Sequence, residues 1–185
     1  MTEMVPKLNV IAAACKNMGI GCDGRLPWSL KKEMAFFTRI TSETNNPEKR
    51  NAVIMGRKTW FSIPEKFRPL RNRINIVLST TLIVLPGADY LVRSLTDVIH
   101  LLSSELKDKV ENCYVIGGES LYKETVSSDY CDKIYLTRID AEFKCDTFFP
   151  EIDKNVYKLV SDPLVPEEEQ EEKGIKYNFE VYQKK

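Results

Sequence analysis

Histidine is almost absent. The chain has 1, His100, set in a helical pattern among leucines. One imidazole cannot build a histidine metal centre or a Ser-His-Asp triad, so acid–base work falls to a carboxylate, a tyrosine or a bound water. Cysteine is sparse and unpatterned: Cys15, Cys22, Cys113, Cys131 and Cys145 form an odd set with no C-x-x-C pair, which points to reduced thiols rather than a disulfide framework. Apolar runs are short, and none nears the ~20 residues that cross a bilayer. The opening MTEMVPKLNV carries no apolar signal stretch, so no membrane association and a cytoplasmic location are expected. Neither sign of charge is in excess, Lys+Arg and Asp+Glu being 27 each, so no nucleic-acid partner is expected. What is present is ordinary globular composition, 43% hydrophobic over 185 residues, which predicts one domain spanning residues 1–185 with a substantial core.

Strand-like runs fall at 8–14, 51–55, 74–79, 89–92, 113–116, 133–139, 156–160 and 175–182; helical segments fall at 30–42, 57–62, 95–106 and 119–127. Strand and helix alternate to about residue 140, and strands dominate after it. That order predicts an α/β fold: an open, mostly parallel twisted sheet with helices on both faces and antiparallel strands at the C-terminal end. NAVIM, INIVL and CYVI are almost wholly apolar, as strands covered on both faces should be. Ser94 with Asp97 three residues on reads as a capping-box-like helix start. The acidic tract PEEEQEEKG, 166–174, reads as a solvated loop.

Gly19, Gly21 and Gly24 spell G-x-G-x-x-G after the first strand. The dinucleotide fingerprint requires a helix to follow, because the helix N-terminus holds the pyrophosphate. Here Pro27 disfavours helix at Leu26, so the stretch reads as a flexible glycine loop instead.

Ser29 is the expected N-cap of the next helix. At about 100° per residue, Leu30, Met34, Phe37 and Ile40 share one stripe, and Glu33 falls inside it. A carboxylate on an apolar stripe snorkels, pairs with a base, raises its pKa or serves a ligand. No second carboxylate shares the motif, which excludes a glycosidase-type or aspartic-protease pair.

Two strand-to-helix turns carry glycine where an anion could be held. Gly56 is followed by Arg57, Lys58 and Thr59; Gly117-Gly118 is followed by Ser120. Each is either a plain tight turn or a cradle of backbone N–H groups, and both lie at strand C-terminal ends, where open α/β sheets bind ligands. Arg93 offers a further cation. RPLRNR, 68–73, is either a solvated loop or an arginine clamp for a carboxylate.

NMGIGCDGRLPW, EMAFF, VIMGRKTWFSIPEKFRPLRNRINIVLS, VIGGESLYKE, LTRI, DTFFPEI and EEKGIKYNFEVY follow in order along the chain. In these motifs the sequence resembles dihydrofolate reductase of the eukaryotic type, over nearly its full length. The resemblance implies a complete, monomeric, metal-free enzyme of one-carbon metabolism. It would reduce 7,8-dihydrofolate to tetrahydrofolate with NADPH and would bind antifolate inhibitors. By position it implies that Glu33 holds the pterin and controls protonation of N5 through water, with Thr137 as its hydroxyl partner and Trp28 orienting that water. Val10, Ile11, Met34, Phe37, Ile63, Pro64, Leu70, Ile116 and Tyr122 would wall the substrate, and Arg73 would grip its α-carboxylate. Ala13, Ile20 and Gly21 would meet the nicotinamide, with residues 17–28 closing over it. Gly56, Arg57, Lys58 and Thr59 would hold one phosphate group; Gly117, Gly118, Glu119, Ser120, Leu121 and Tyr122 would form the other turn, with a cis Gly-Gly peptide. Leu78, Ser79, Thr80 and Arg93 would lie by the adenosine 2′-phosphate.

The chain departs from vertebrate relatives at Met34, where they have phenylalanine, at Phe67, where they have asparagine, and at Thr80, where they have arginine. The last leaves NADPH preference to Arg93 and Lys58. Two rivals are a reductase domain of riboflavin synthesis, disfavoured by Glu33 with Arg73, and a silent folate- or nucleotide-binding module.

Overall fold

A computed structural model describes residues 5–185. Apolar strands with little alternation build a sheet buried on both faces. They are β1 (Leu8–Ala14), β3 (Arg50–Gly56), β4 (Arg73–Leu78), β5 (Tyr90–Val92), β6 (Val110–Gly117) and β7 (Cys131–Ile139). All pair in parallel with their neighbours in this group. The wet-faced C-terminal strand β11 (Ile175–Lys184) adds antiparallel to β7, and β9 (Tyr157–Val160) and β10 (Gln170–Glu172) add antiparallel to β11. The spatial order is β10-β11-β7-β1-β6-β3-β4-β5, a nine-stranded sheet among the described residues once β9 is counted.

Helices cover both faces, as the alternation of elements predicts. α3 (Leu95–Ser103) and α4 (Glu119–Val126) pack on one side, against Val10, Ala52, Ile54 and Val115. α1 (Lys31–Ser42) packs on the other, where Phe36 and Ile40 meet Ile11, Tyr114 and Tyr135. α2 (Arg57–Ser62) lies on that second face too, with Trp60 against Val53, Met55 and Val77. Strand alternation therefore sends Val10 and Ile11 to opposite faces. Ser94 caps α3 as expected: its Oγ accepts from Asp97 N at 3.1 Å.

Four expectations are corrected. Ser29 does not cap α1, whose N-cap position is Leu30 with no side-chain cap bond. The buried stripe of α1 is Glu33, Phe36, Ile40 and Thr41, while Met34 is 45% exposed and Phe37 half-buried. Phe36 takes the inward place, stacking on Phe179 of β11 at 4.0 Å. The acidic tract is not wholly a loop: Gln170–Glu172 forms β10. Nor is the glycine segment unpaired throughout. Its Gly19–Gly21 is a short strand, β2, pairing with β8 (Thr147–Phe148). No helix follows, in keeping with rejection of the fingerprint. Asp23 (φ 52°) and Gly24 (φ 74°) instead make a tight turn, closed by Cys22 N to Arg25 O at 2.8 Å and Arg25 N to Cys22 O at 3.0 Å. Positive φ at both central positions is what a type I′ turn requires, and Asp-Gly supplies it.

Candidate active site

A cleft of about 1150 Å³ opens across the C-terminal ends of β1, β3, β4 and β6. This is where a parallel sheet exposes strand ends and helix N-termini together. Gly56 leads into α2 and Gly118 into α4, so two helix starts face the cleft. The turns pack directly on each other. A Cβ on Gly56 would lie 3.8 Å from Gly118 N, and one on Gly117, at φ 134°, would lie 3.2 Å from Thr59 Oγ1. The Gly117-Gly118 peptide is cis.

Every residue assigned above to the cofactor lines this one cleft. Gly56, Arg57, Lys58 and Thr59 lie on the first turn, and Gly117, Gly118, Glu119, Ser120, Leu121 and Tyr122 on the second. Ala13, Ile20 and Gly21 form one end; Leu78, Ser79, Thr80 and Arg93 form the other. Five cations, Arg25, Arg57, Lys58, Arg93 and Lys123, meet three acids, Glu119, Glu124 and Asp146, around it. The glycine cradles and the cationic rim suit a phosphate-bearing ligand. Ser79 is buried and already engaged, its Oγ accepting from Leu82 N at 3.0 Å, while Arg93 is exposed and donates to Ser79 O at 3.3 Å. Sequence reasoning did not assign Thr81, Lys123, Asp146 and Thr147 to the cleft, although the motif DTFFPEI held the last two.

Beside the Ala13 end lies the acid. Register pairs Ala13 of β1 with Thr137 of β7, so both point to one face. The Thr137 hydroxyl donates to Glu33 Oε1 at 3.0 Å, and Glu33 is 7% exposed. Burial raises the Glu33 pKa above its ordinary value, and the Thr137 hydrogen bond opposes this. Tyr122, whose hydroxyl donates to Ile11 O at 2.8 Å, has its own pKa raised by burial and then by the Glu33 charge. Trp28 packs on Phe143 at 5.6 Å, and its buried Nε1 has no protein acceptor among the described residues.

The remaining residues assigned to the substrate lie mostly around the α1 and α2 face of the sheet. Phe37 borders the α1 cluster, Ile63 and Leu70 border the α2 cluster, and Ile116 touches both. Met34, Pro64 and Phe67 stand exposed, Phe67 at 56%. Val10 and Tyr122 differ, their side chains being buried in the cluster on the α3 and α4 face; Tyr122 also lines the cleft, and Val10 does not. Both faces of β1 are apolar, so its sequence carries no alternation to tell the two sides apart.

The three arginines of 68–73 separate in space. Arg68 donates to Ile63 O at 3.0 Å and lies over the Trp60 ring, Arg71 is exposed, and Arg73 is buried. Arg73 Nη1 donates to Thr41 Oγ1 at 3.0 Å and Nε to Arg71 O at 2.9 Å. No carboxylate among the described residues lies within 4.0 Å of it, which leaves the guanidinium free for an anion.

Fold and site together define an α/β protein with a cation-rimmed cleft across its strand ends, beside one buried carboxylate and a buried arginine. The family model for dihydrofolate reductase matches residues 7–184. The dihydrofolate reductase of Gallus gallus is 54% identical over 184 residues, covering 97% of each chain, and that of Sus scrofa is 53% identical, covering 97% and 99%. The solved structure of the Schistosoma mansoni enzyme superposes with a TM-score of 0.86 at 42% identity, over 98% of this chain and all of that one. The chain belongs to the dihydrofolate reductase family.

Proposed function

We propose that this chain reduces 7,8-dihydrofolate to 5,6,7,8-tetrahydrofolate with NADPH, acting as a single-domain cytoplasmic monomer that antifolates inhibit. The observation that carries the proposal is the buried Glu33, held by Thr137 next to the cleft end formed by Ala13. NADPH, when bound, supplies the hydride. Gly56 to Thr59 and Gly117 to Tyr122 would hold its phosphates, and Arg93 and Lys58 its 2′-phosphate. Ala13, Ile20 and Gly21 would meet the nicotinamide.

The remaining chemistry belongs to the chain. Glu33 accepts hydrogen bonds from the pterin 2-amino group and N3–H, fixing the ring's tautomer and orientation. Its raised pKa keeps a proton within reach at higher pH than a free glutamate allows. The buried Trp28 N–H needs an acceptor, and an ordered water bound there delivers the proton to N5. Protonation at N5 makes C6 electrophilic. Ile11, Phe37, Ile63, Leu70 and Ile116 exclude water from the ring, and Arg73 takes the α-carboxylate as a forked pair. Holding both partners in register is worth on the order of 7–11 kcal/mol.

The test is direct. Protein, NADPH and dihydrofolate are mixed and the cofactor absorbance is followed. A decay dependent on both ligands supports the proposal, and a flat trace beside an active control enzyme overturns it.

A further inference from the structure

Helix α1, which carries Glu33, has no cap of its own, yet its first N–H groups are not free. Lys31 N donates to Glu172 Oε2 at 2.6 Å and Lys32 N to Glu172 Oε1 at 2.8 Å. Glu172 ends β10, far along the chain, in the tract that reads from sequence as solvated. One carboxylate thus takes two of the four donors that a helix start leaves unpaired, and it places negative charge at the positive end of the helix dipole.

The same segment grips the other end of α1. Arg39 Nη2 donates to Leu164 O at 2.9 Å, and Val165 packs into the cluster of Phe36 and Ile40. Tyr177 of β11, paired in register with Gln170 of β10, is fully buried and clusters with Leu30 at the start of α1. The Glu172 pKa is lowered first by the Lys32 N–H, and that of Tyr177 is raised first by burial and then by the charges of Glu172 and Glu33. Glu172 thus binds the two residues that immediately precede Glu33 on the first turn of α1.

We propose that Glu172 is a positioning residue for the reaction: its bidentate grip on Lys31 and Lys32 fixes the first turn of α1, and with it the point where Glu33 meets Thr137 and the pterin. This rests on the reading of Glu33 as the pocket acid. Without the grip the first turn frays, and Glu33 spends less time at its bond to Thr137. Displacement of a reacting group by about 1 Å can cost up to about 100-fold in rate.

The experiment uses the full chain with Glu172→Ala, Glu172→Gln, Glu171→Gln and Glu33→Gln. It measures kcat, KM for dihydrofolate, Kd for NADPH and the thermal midpoint. Glu172→Ala is expected to lower kcat about tenfold or more and to raise KM for dihydrofolate. NADPH affinity should stay within about twofold, because α2 and α4 hold the cofactor turns. Glu172→Gln keeps one carbonyl acceptor and should recover part of the loss. Glu171→Gln removes the same charge from an exposed neighbour and should match wild type. Wild-type kcat and dihydrofolate KM in Glu172→Ala, with only the midpoint lowered, would overturn the proposal, and so would NADPH affinity falling in step with kcat. If Glu172→Ala does not fold, Glu172→Gln decides: a reduced kcat supports the proposal and a wild-type kcat overturns it. Wild-type activity in Glu33→Gln would instead sink the underlying reading of Glu33.

Discussion

Glu33 and Arg73 are anchored at opposite ends of one helix. Glu33 sits on the first turn of α1 and accepts from Thr137; Arg73 donates to Thr41 on the last turn. At 1.5 Å per residue the two anchors are separated by about 12 Å along the helix axis. An acid at one end and a cation at the other suit a ligand with a basic heterocycle, an apolar middle and a carboxylate tail.

Arg73→Leu removes the cation and keeps apolar bulk. Affinity for dihydrofolate should fall by about tenfold or more, since charge-assisted forked bonds are the stronger class. A pterin without a glutamate tail should lose far less. Titration of both ligands checks this, and equal losses would contradict the clamp.

Thr137→Val is nearly isosteric and deletes the hydroxyl bonded to Glu33. That bond holds the Glu33 pKa down against burial, so its loss should raise the pKa further and move the falling limb of the pH–rate profile to higher pH. Folded stability should drop by about 0.5–1.5 kcal/mol. Denaturant melts and pH–rate curves measure the two effects, and an unmoved limb would show that Thr137 does not tune the acid.

Stability itself should depend on pH through Glu33. Near or below about pH 4, folded and unfolded chains both carry the proton and the buried group has no charge to penalise. As pH rises past that value the unfolded chain ionises first, so stability declines until the raised folded pKa is passed. Glu33→Gln has no such proton to lose. Its thermal midpoint should therefore rise relative to wild type as pH increases from about 4 to 7. A constant difference across that range would count against a buried, proton-holding Glu33.

Arg93→Gln removes an exposed cation from the far end of the cleft, where Thr80 supplies no charge. The preference for NADPH over NADH, taken as the ratio of kcat/KM values, should fall several-fold while kcat with NADPH changes little. An unchanged ratio would assign the 2′-phosphate to other residues.

Helical periodicity alone places Glu33 inward, and the glycine turns after β3 and β6 are legible because strand, glycine and helix start follow in order. That pattern names Gly56 to Thr59, Gly117, Gly118 and Ser120; the other cleft residues come from the resemblance to the family. The exact face of α1 was not, because Phe36 is drawn inward by Phe179, a partner distant in sequence. The resemblance implies Val10 in the substrate wall, yet it faces α3 and α4, and a strand apolar on both faces carries no signal that would correct this. Ser29 looked like a cap because local sequence cannot show that Glu172 takes the helix N–H groups from across the fold. The β2–β8 pairing was hidden for the same reason, since neither three glycine-rich residues nor two before a Phe-Pro carry a strand pattern.

The central claim is that Glu33 governs protonation of the pterin, and the most direct measurement is single-turnover oxidation of NADPH by dihydrofolate as a function of pH. The wild-type rate should hold on the acid side and fall once pH passes the raised Glu33 pKa. Glu33→Gln should be slower by orders of magnitude at neutral pH, with no such limb and with NADPH affinity intact. A Glu33→Gln enzyme that follows the wild-type rate and the same pH curve would contradict it.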